Sequence, residues 1–447
     1  MSATSPTAPA YDEARLARRA RIASTIGTGI EWYDFYIYGL ASALVFGKLF
    51  FPDSDPLAGT MLALSTFLLG FVIRPVGALF FGHFGDRLGR KSTLIATLLL
   101  MGVGTALVGV LPTHATIGSL APVLLVVLRV VQGFGVGGEW GGAVLMSTEW
   151  KEGATRRGLH GSWPQLGSAL GMLLATASMS LTQVAMSDAA FDSWGWRIPF
   201  LVSIVLVAVG LAIRIGVVES TEFRAVRAER RVDTVPALTA IRGYWRQILV
   251  TAFMRAGQTG PFYVFTTFVI TYGTDQLGLS KQFLTNAVLV GAAVELFTTP
   301  GWGWVSDRVG RRRMHLVGAA LMFAVAIPYF GLLNTAAGWA VIAGTVLVLV
   351  VHDLQYAPQA SLMAESFPAP VRYTGVSLAY HLGSVLWAGP AALIATALYD
   401  ASGSWPAIAA YVMALALISF VATLGVRERP ALHVAPTRAA ELASEPA

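Results

Sequence analysis

The sequence predicts an all-α membrane protein of twelve transmembrane helices in two pseudo-symmetric six-helix bundles, and three observations carry that prediction. Of 447 residues, 55% are hydrophobic and 13% charged, against about 25% charged in a soluble domain. Of 31 Lys and Arg residues, 25 fall on loops that such a topology gathers on one side of the bilayer, as the positive-inside bias requires. A ten-residue loop motif recurs 221 positions later, once in each half.

The helices follow from apolar runs bounded by charge clusters and Gly or Pro breaks, each long enough for the roughly 20 residues of a bilayer crossing. The first half is expected to hold spans near 22–47, 57–84, 92–112, 119–149, 159–184 and 196–218. The second is expected to hold 246–274, 281–305, 314–334, 337–365, 371–399 and 404–426. A polar N-tail, 1–21, thus precedes an N-terminal bundle, 22–218; a charged linker, 219–245, leads to a C-terminal bundle, 246–426, and a tail, 427–447, follows. The N-tail has no short apolar core with a small-residue cleavage site, so the first span reads as an uncleaved anchor. Both termini are expected in the cytoplasm. Only Lys48, Arg197 and Lys281 fall outside, while Arg74, Arg129 and Arg255 fall within spans.

The repeat aligns Gly82-His-Phe-Gly-Asp86-Arg-Leu-Gly89-Arg90-Lys91 with Gly303-Trp-Val-Ser-Asp307-Arg-Val-Gly310-Arg311-Arg312. Parallel repeats place a substrate route between two halves that rock about a midplane site, which is alternating access. Asp86 is expected to take the N-terminal end of the following helix or an arginine partner. Asp86 with Arg90, and Asp307 with Arg311, then latch the cytoplasmic side shut and stabilise the outward-open state.

Ionisable groups inside spans are costly and mark function by default. They are Glu31, Asp34, Arg74, Arg129, Glu139, Arg255, Glu295, His352 and Asp353, with His381 a further member. Three cations face five carboxylates, so pairing alone does not neutralise them. Glu31, Asp34 and Tyr38 stand at i, i+3 and i+7, on one face of the first helix. The repeat offset relates Asp34 to Arg255 and Arg74 to Glu295, so the halves present opposite charges at related places. That suits an anion carried with protons. Arg255 is the first choice for a substrate carboxylate and Arg74 the second, with Glu295, Tyr38 and Tyr263 also in the substrate site. His352 and Asp353 read either as a second proton relay or as a structural hydrogen-bonded pair. Glu139 lies about 15 Å along the helix from Arg129 and extends a cytoplasmic proton route.

Other chemistries find no support. Without cysteine there is no disulfide, thiolate metal site or Cys nucleophile. Gly133-Phe-Gly135-Val-Gly-Gly138 has dinucleotide-binding spacing but no preceding strand, and reads as helix packing. Gly85 to Ser92 falls one residue short of a Walker A motif, and no zinc-protease helix or nucleophile elbow occurs. The chain is therefore not expected to be an enzyme or to carry a cofactor. Its net charge of +6 orients it in lipid rather than on nucleic acid, and a monomer is expected.

These motifs bring out a resemblance. The loop from Gly82 to Lys91 resembles the signature of the major facilitator superfamily. Glu31-Trp-Tyr-Asp34-Phe-Tyr-Ile-Tyr38-Gly39 and the run from Arg129 to Gly142 resemble the bacterial inner-membrane metabolite:proton symporters within it, as do Gly195 to Phe200 and Val371 to Ser377. The resemblance implies proton symport of a small metabolite, with shikimate, 2-oxoglutarate and citrate carriers among the members. It also implies that Asp34 carries the proton and that Arg129 is its counter-charge. A proline/betaine osmolyte symporter is the alternative within transport, and a substrate-sensing receptor with this fold is the alternative outside it.

Overall fold

The computed structural model describes residues 10–54, 56–150, 155–228, 234–426 and 428. Twelve membrane helices are laid out in chain order. Helix α1 is Ala10–Ala41; α2 runs as Pro56–Val72 and Arg74–Leu88; α3 is Arg90–Val110; α4 is Leu120–Thr148; α5 is Arg157–Ala185; and α6 is Arg197–Ile215. In the second half, α7 runs as Pro236–Met254 and Ala256–Tyr263 and continues to Asp275; α8 is Lys281–Val309; and α9 is Arg311–Leu333. Helix α10 is Gly338–Glu365; α11 runs as Arg372–Gly383 and Ala391–Ser402; and α12 is Pro406–Leu424. Helix α1 begins at Ala10, so part of the expected N-tail is helical. Helix α7 likewise begins inside the expected linker, which also holds a short helix, Thr221–Ala228.

Ten helices are individually long and apolar enough to cross a bilayer among the described residues. The two that fall short, α1 and α7, are also the two most burdened for function. Helix α1 carries basic N-terminal turns and the buried Glu31 and Asp34. Helix α7 is interrupted at Arg255 and again by a π-helical turn.

The repeat extends to backbone detail. π-Helical turns occupy Ser42–Phe46 and Val264–Phe268, one position from the loop offset. Gly89 and Gly310 both adopt positive φ, 119° and 101°, a conformation that glycine takes without a Cβ penalty.

The halves meet where α5 packs on α8 and α10, and where α2 packs on α11. Glycines set these distances. A Cβ on Gly158 would stand 2.6 Å from the Gly303 carbonyl oxygen, and one on Gly82 would stand 2.6 Å from the Thr374 Cα. Within the first half, the glycine run of α4 brings its backbone against α2. A Cβ on Gly137 would lie 2.3 Å from the Arg74 carbonyl oxygen, so the dinucleotide-like spacing serves helix packing.

Candidate functional site

Helix α1 buries Glu31 and Asp34, each 3% exposed. The Thr105 hydroxyl of α3 and the Arg129 guanidinium of α4 are the polar neighbours of Asp34. Arg129 lies 4.2 Å from the Tyr38 ring centroid and 5.5 Å from that of Phe35. Gly70 leaves it room, because a Cβ there would come within 2.5 Å of Nε. The Tyr38 hydroxyl is hydrogen-bonded to Thr66 at 2.7 Å, and its ring belongs to the apolar cluster of the first half. Tyr38 thus supports Arg129.

Glu31 looks to a different cation. Arg74 begins the second segment of α2, where Pro75 has no N–H to continue the helix. Its guanidinium lies 4.5 Å from the Phe71 ring centroid and 4.9 Å from that of Phe35. Glu31 is its foremost charged neighbour, followed by the phenols of Tyr263 and Tyr380 in the other half. Arg74 makes no carboxylate salt bridge among the described residues. Its Nε, the Glu31 Oε2 and both amide atoms of Gln359 are buried polar atoms without a hydrogen-bond partner. Such atoms are costly unless water or a ligand meets them.

Arg255 is held differently. Its Nη1 donates to the Tyr380 carbonyl and, at 2.9 Å, to the Ser384 hydroxyl, and its guanidinium lies 3.6 Å from the Tyr380 ring centroid. Gly383 admits it, with Cδ only 3.2 Å from a built Cβ. Tyr380 in turn stacks on Trp140 of α4 at 3.6 Å between centroids, and Tyr263 meets Phe71 across the halves at 6.2 Å. Arg255 is therefore stapled to α11, whereas Arg74 stands between the halves.

A third group lies in the C-terminal half. His352 Nδ1 is 3.3 Å from both Glu295 Oε1 and Asp353 Oδ1. Asp353 Oδ2 accepts from Thr298 at 2.5 Å and Thr299 at 2.9 Å, and His352 Nε2 meets the Gln258 amide at 2.7 Å. Glu295 thus sits with His352 and Asp353, near Tyr36 of α1.

Glu139, expected on a proton route, is held in an ion pair. Arg214 of α6 binds both of its carboxylate oxygens, and Thr97 donates to it at 2.8 Å. The carboxylate is closed off as a buried ion pair. The charge count had put Arg214 on a cytoplasmic loop, but α6 carries it inside the bundle, where it is 3% exposed.

At one end of the bundles the repeated loops cross between the halves. Asp86 accepts from the backbone N–H groups of Tyr373 and Thr374 at 3.1 and 2.9 Å, at the start of α11. Asp307 accepts from those of Gly158 and Leu159 at 2.6 and 2.9 Å, at the start of α5. Each aspartate thus meets a helix N-terminus of the opposite half, where the helix dipole favours an anion. Of the two places expected for Asp86, the start of the next helix belongs to Glu219, which accepts from Lys91 N at 3.3 Å, while the arginine partner is present as Arg90. Glu428 does the same for α9, accepting from Arg311 N and Arg312 N at 2.9 and 3.2 Å.

Arg90 sits 3.3 Å from Asp86 and 3.2 Å from Glu149, and Arg311 sits 3.6 Å from Asp307 and 3.1 Å from Glu365. Arg372 binds Glu149 at 2.9 Å and also pairs with Glu222 of the short linker helix, which reaches Arg157 at 3.4 Å. Burial pushes the Glu149 carboxyl up, but Arg90 and then Arg372 outweigh it and hold it below the ordinary carboxylate range. Burial raises Glu219. The face that carries the repeated loops is shut.

The model of the Major Facilitator Superfamily matches residues 25–390. The chain belongs to that superfamily. It is 40% identical to the shikimate transporter of Escherichia coli K12 over 419 residues, covering 92% of this chain and 95% of that one. It is 33% identical to the proline/betaine transporter of the same strain over 429 residues, covering 93% and 84%. Its fold is similar to that of the proton:xylose symporter XylE bound to 6-bromo-6-deoxy-D-glucose. The TM-score there is 0.75 at 16% identity, covering 92% of this chain and 95% of that one.

As a member of the superfamily, this multi-pass membrane protein is a secondary transporter and not an enzyme. Its structure brings Glu31, Arg74, Tyr263 and Arg255 around Tyr380, and sets Asp34, Arg129 and Tyr38 apart within the first half. Sequence reasoning missed Tyr380, Arg214, Glu149 and Glu222. Glu149 and Glu222 lie at helix ends, where an acid looks like a solvated cap. Tyr380 carries no charge. Arg214 has no signal apart from its position four residues before the predicted end of a span.

Proposed function

We propose that the chain is a proton-coupled symporter of the bacterial inner membrane that imports a small carboxylate-bearing metabolite by alternating access, acting as a monomer with both termini in the cytoplasm. The bundles 22–218 and 246–426 rock about Arg74. One observation carries the substrate class: a buried guanidinium between the halves whose nearest carboxylate, Glu31, does not close a salt bridge with it. A substrate carboxylate accepts from Arg74 there, with Tyr263 beside it and Arg255 holding Tyr380 in place. Arg74 takes precedence over Arg255, whose Nη1 is already engaged by the Tyr380 carbonyl and the Ser384 hydroxyl.

Asp34 carries the proton and Arg129 is its counter-charge. A neighbouring guanidinium favours an ionised carboxylate and its withdrawal favours protonation. Movement of α4 against α1 therefore couples proton uptake to rocking. Asp86 with Arg90, and Asp307 with Arg311, hold the cytoplasmic side closed while the substrate enters from outside.

The alternative is a proline- or betaine-like zwitterion, with Arg74 for its carboxylate and Glu31 for its cation; the identity to the proline/betaine transporter favours it. The test is internal pH in proteoliposomes on adding shikimate, 2-oxoglutarate, citrate, simple monocarboxylates, proline or betaine. Proton entry with one of the acids, lost in Arg74→Ala, supports the first reading. A response to proline or betaine alone overturns it in favour of the second. Binding without flux of proton or substrate makes the protein a receptor.

A further inference from the structure

The Glu295, His352 and Asp353 group has features that substrate binding does not require. All three are buried, at 5%, 2% and 0% exposure. Glu295 Oε1, His352 Nδ1 and Asp353 Oδ1 lie within 4.8 Å of one another. None of these three atoms has a hydrogen bond of adequate geometry. The atoms on the far side of two of the ligands are anchored instead. Asp353 Oδ2 takes two threonine hydroxyls, and His352 Nε2 takes the Gln258 amide, which is itself bound to Thr259 at 2.7 Å. Oxygen and nitrogen of such an amide are interchangeable by a flip. With its oxygen on Nε2–H, the Nδ1 lone pair points at the two carboxylates. That is how an outer partner orients a metal-ligating histidine.

Charge and spacing name the ligand. Two carboxylates and a neutral imidazole bring two negative charges into a setting flanked by the Phe262 and Tyr356 rings, 5.2 and 4.9 Å from that of His352. No lysine or arginine forms a salt bridge with either carboxylate among the described residues. Buried uncompensated charge costs several kcal/mol per ion. Tetrahedral bonds of 2.0–2.1 Å set neighbouring ligand atoms about 3.3 Å apart, and both distances from Nδ1 are 3.3 Å. One nitrogen and two oxygens suit a first-row divalent cation rather than Mg²⁺ or Ca²⁺, which take oxygen shells.

We propose that Glu295, His352 and Asp353 form an intramembrane site for a first-row divalent transition cation, Zn²⁺ foremost, with the fourth position left to water. The ion joins α8 to α10 inside the C-terminal half. The proposal does not depend on proton coupling at Asp34.

The test is calorimetric titration of Zn²⁺ into the metal-stripped full chain, its purification tag removed, with the absorption of bound Co²⁺ as a second readout. One Zn²⁺ per chain is expected, with tetrahedral Co²⁺ bands. His352→Gln, Glu295→Gln and Asp353→Asn should each weaken binding by more than the about tenfold to hundredfold lost with an outer-shell partner. His352→Cys, which restores a zinc ligand, should keep it. His114→Gln, at a partly buried histidine 3.6 Å from Asp53, and Asp34→Asn should bind as the wild type does. Absence of saturable binding to the wild-type chain overturns the proposal whether or not the variants fold. So does unchanged affinity in all three ligand variants, or loss of binding in His114→Gln.

Discussion

Asp34 and Glu139 are both buried carboxylates of the first half, and their neighbours give them different work. Glu139 meets Arg214 through two oxygens and Thr97 besides, so it behaves as half of a fixed ion pair. Glu139→Ala leaves Arg214 buried and uncompensated, a loss of about 3–5 kcal/mol. It should lower the melting temperature in detergent, and Arg214→Met with Glu139→Leu should recover most of that loss. Asp34 has one hydroxyl and one guanidinium nearby, which leaves it able to change state. At the proposed substrate site, Arg74→Lys should raise KM at least tenfold, because an ammonium does not reproduce a bidentate fork. Arg255→Lys should act mainly on turnover by loosening Tyr380. A larger KM effect at Arg255, measured by initial uptake rates, would reverse the proposed order. Every charged member of this site was visible in the sequence, because a charge inside an apolar run is conspicuous. The exception, Arg214, sits at a helix end, where sequence does not separate buried from solvated.

Among elements, the repeated loops show how a local motif becomes a long-range contact. The spacing from Asp86 to Arg90 was legible, and so was its copy at Asp307 and Arg311. What the aspartates touch was not, since only folding brings the starts of α11 and α5 across the interface. Asp86→Asn keeps the shape but removes the charge on the helix N-terminus, a loss of about 1.5–3 kcal/mol for a charge-assisted bond. The closed form should lose population by roughly tenfold to a hundredfold. The native chain has no cysteine, so a single Ser361→Cys, at a buried position behind this closure, reports it by its rate of maleimide labelling. Gly158→Leu should open the same face by sterics, since the space beside it holds Ser306 and the Gly303 carbonyl. The linker helix was invisible as a device. Glu222 and Phe223 look like an amphipathic tether, yet Glu222 bridges Arg157 and Arg372, and Phe223 lies 4.4 Å beneath Arg90.

For the whole molecule, these contacts set one form of the proposed rocking cycle, closed on the face of the repeated loops and held by matched charge clusters. Its pH dependence follows from Glu149, whose carboxyl is held below the ordinary 4.5 while Arg90 and Arg372 face it. When the halves part, that value returns towards 4.5. The stabilisation is therefore fully present above the ordinary value and is lost as pH falls through the lowered one. Between pH 6 and 8, labelling at Ser361→Cys should not vary through this group. Proton coupling near neutrality therefore does not come from Glu149. The most direct measurement of it compares Asp34→Asn with the wild type in proteoliposomes, following both exchange of labelled substrate across a symmetric membrane and accumulation driven by an imposed pH gradient. The account predicts that exchange survives and gradient-driven accumulation is lost. Accumulation at the wild-type level in Asp34→Asn would contradict it.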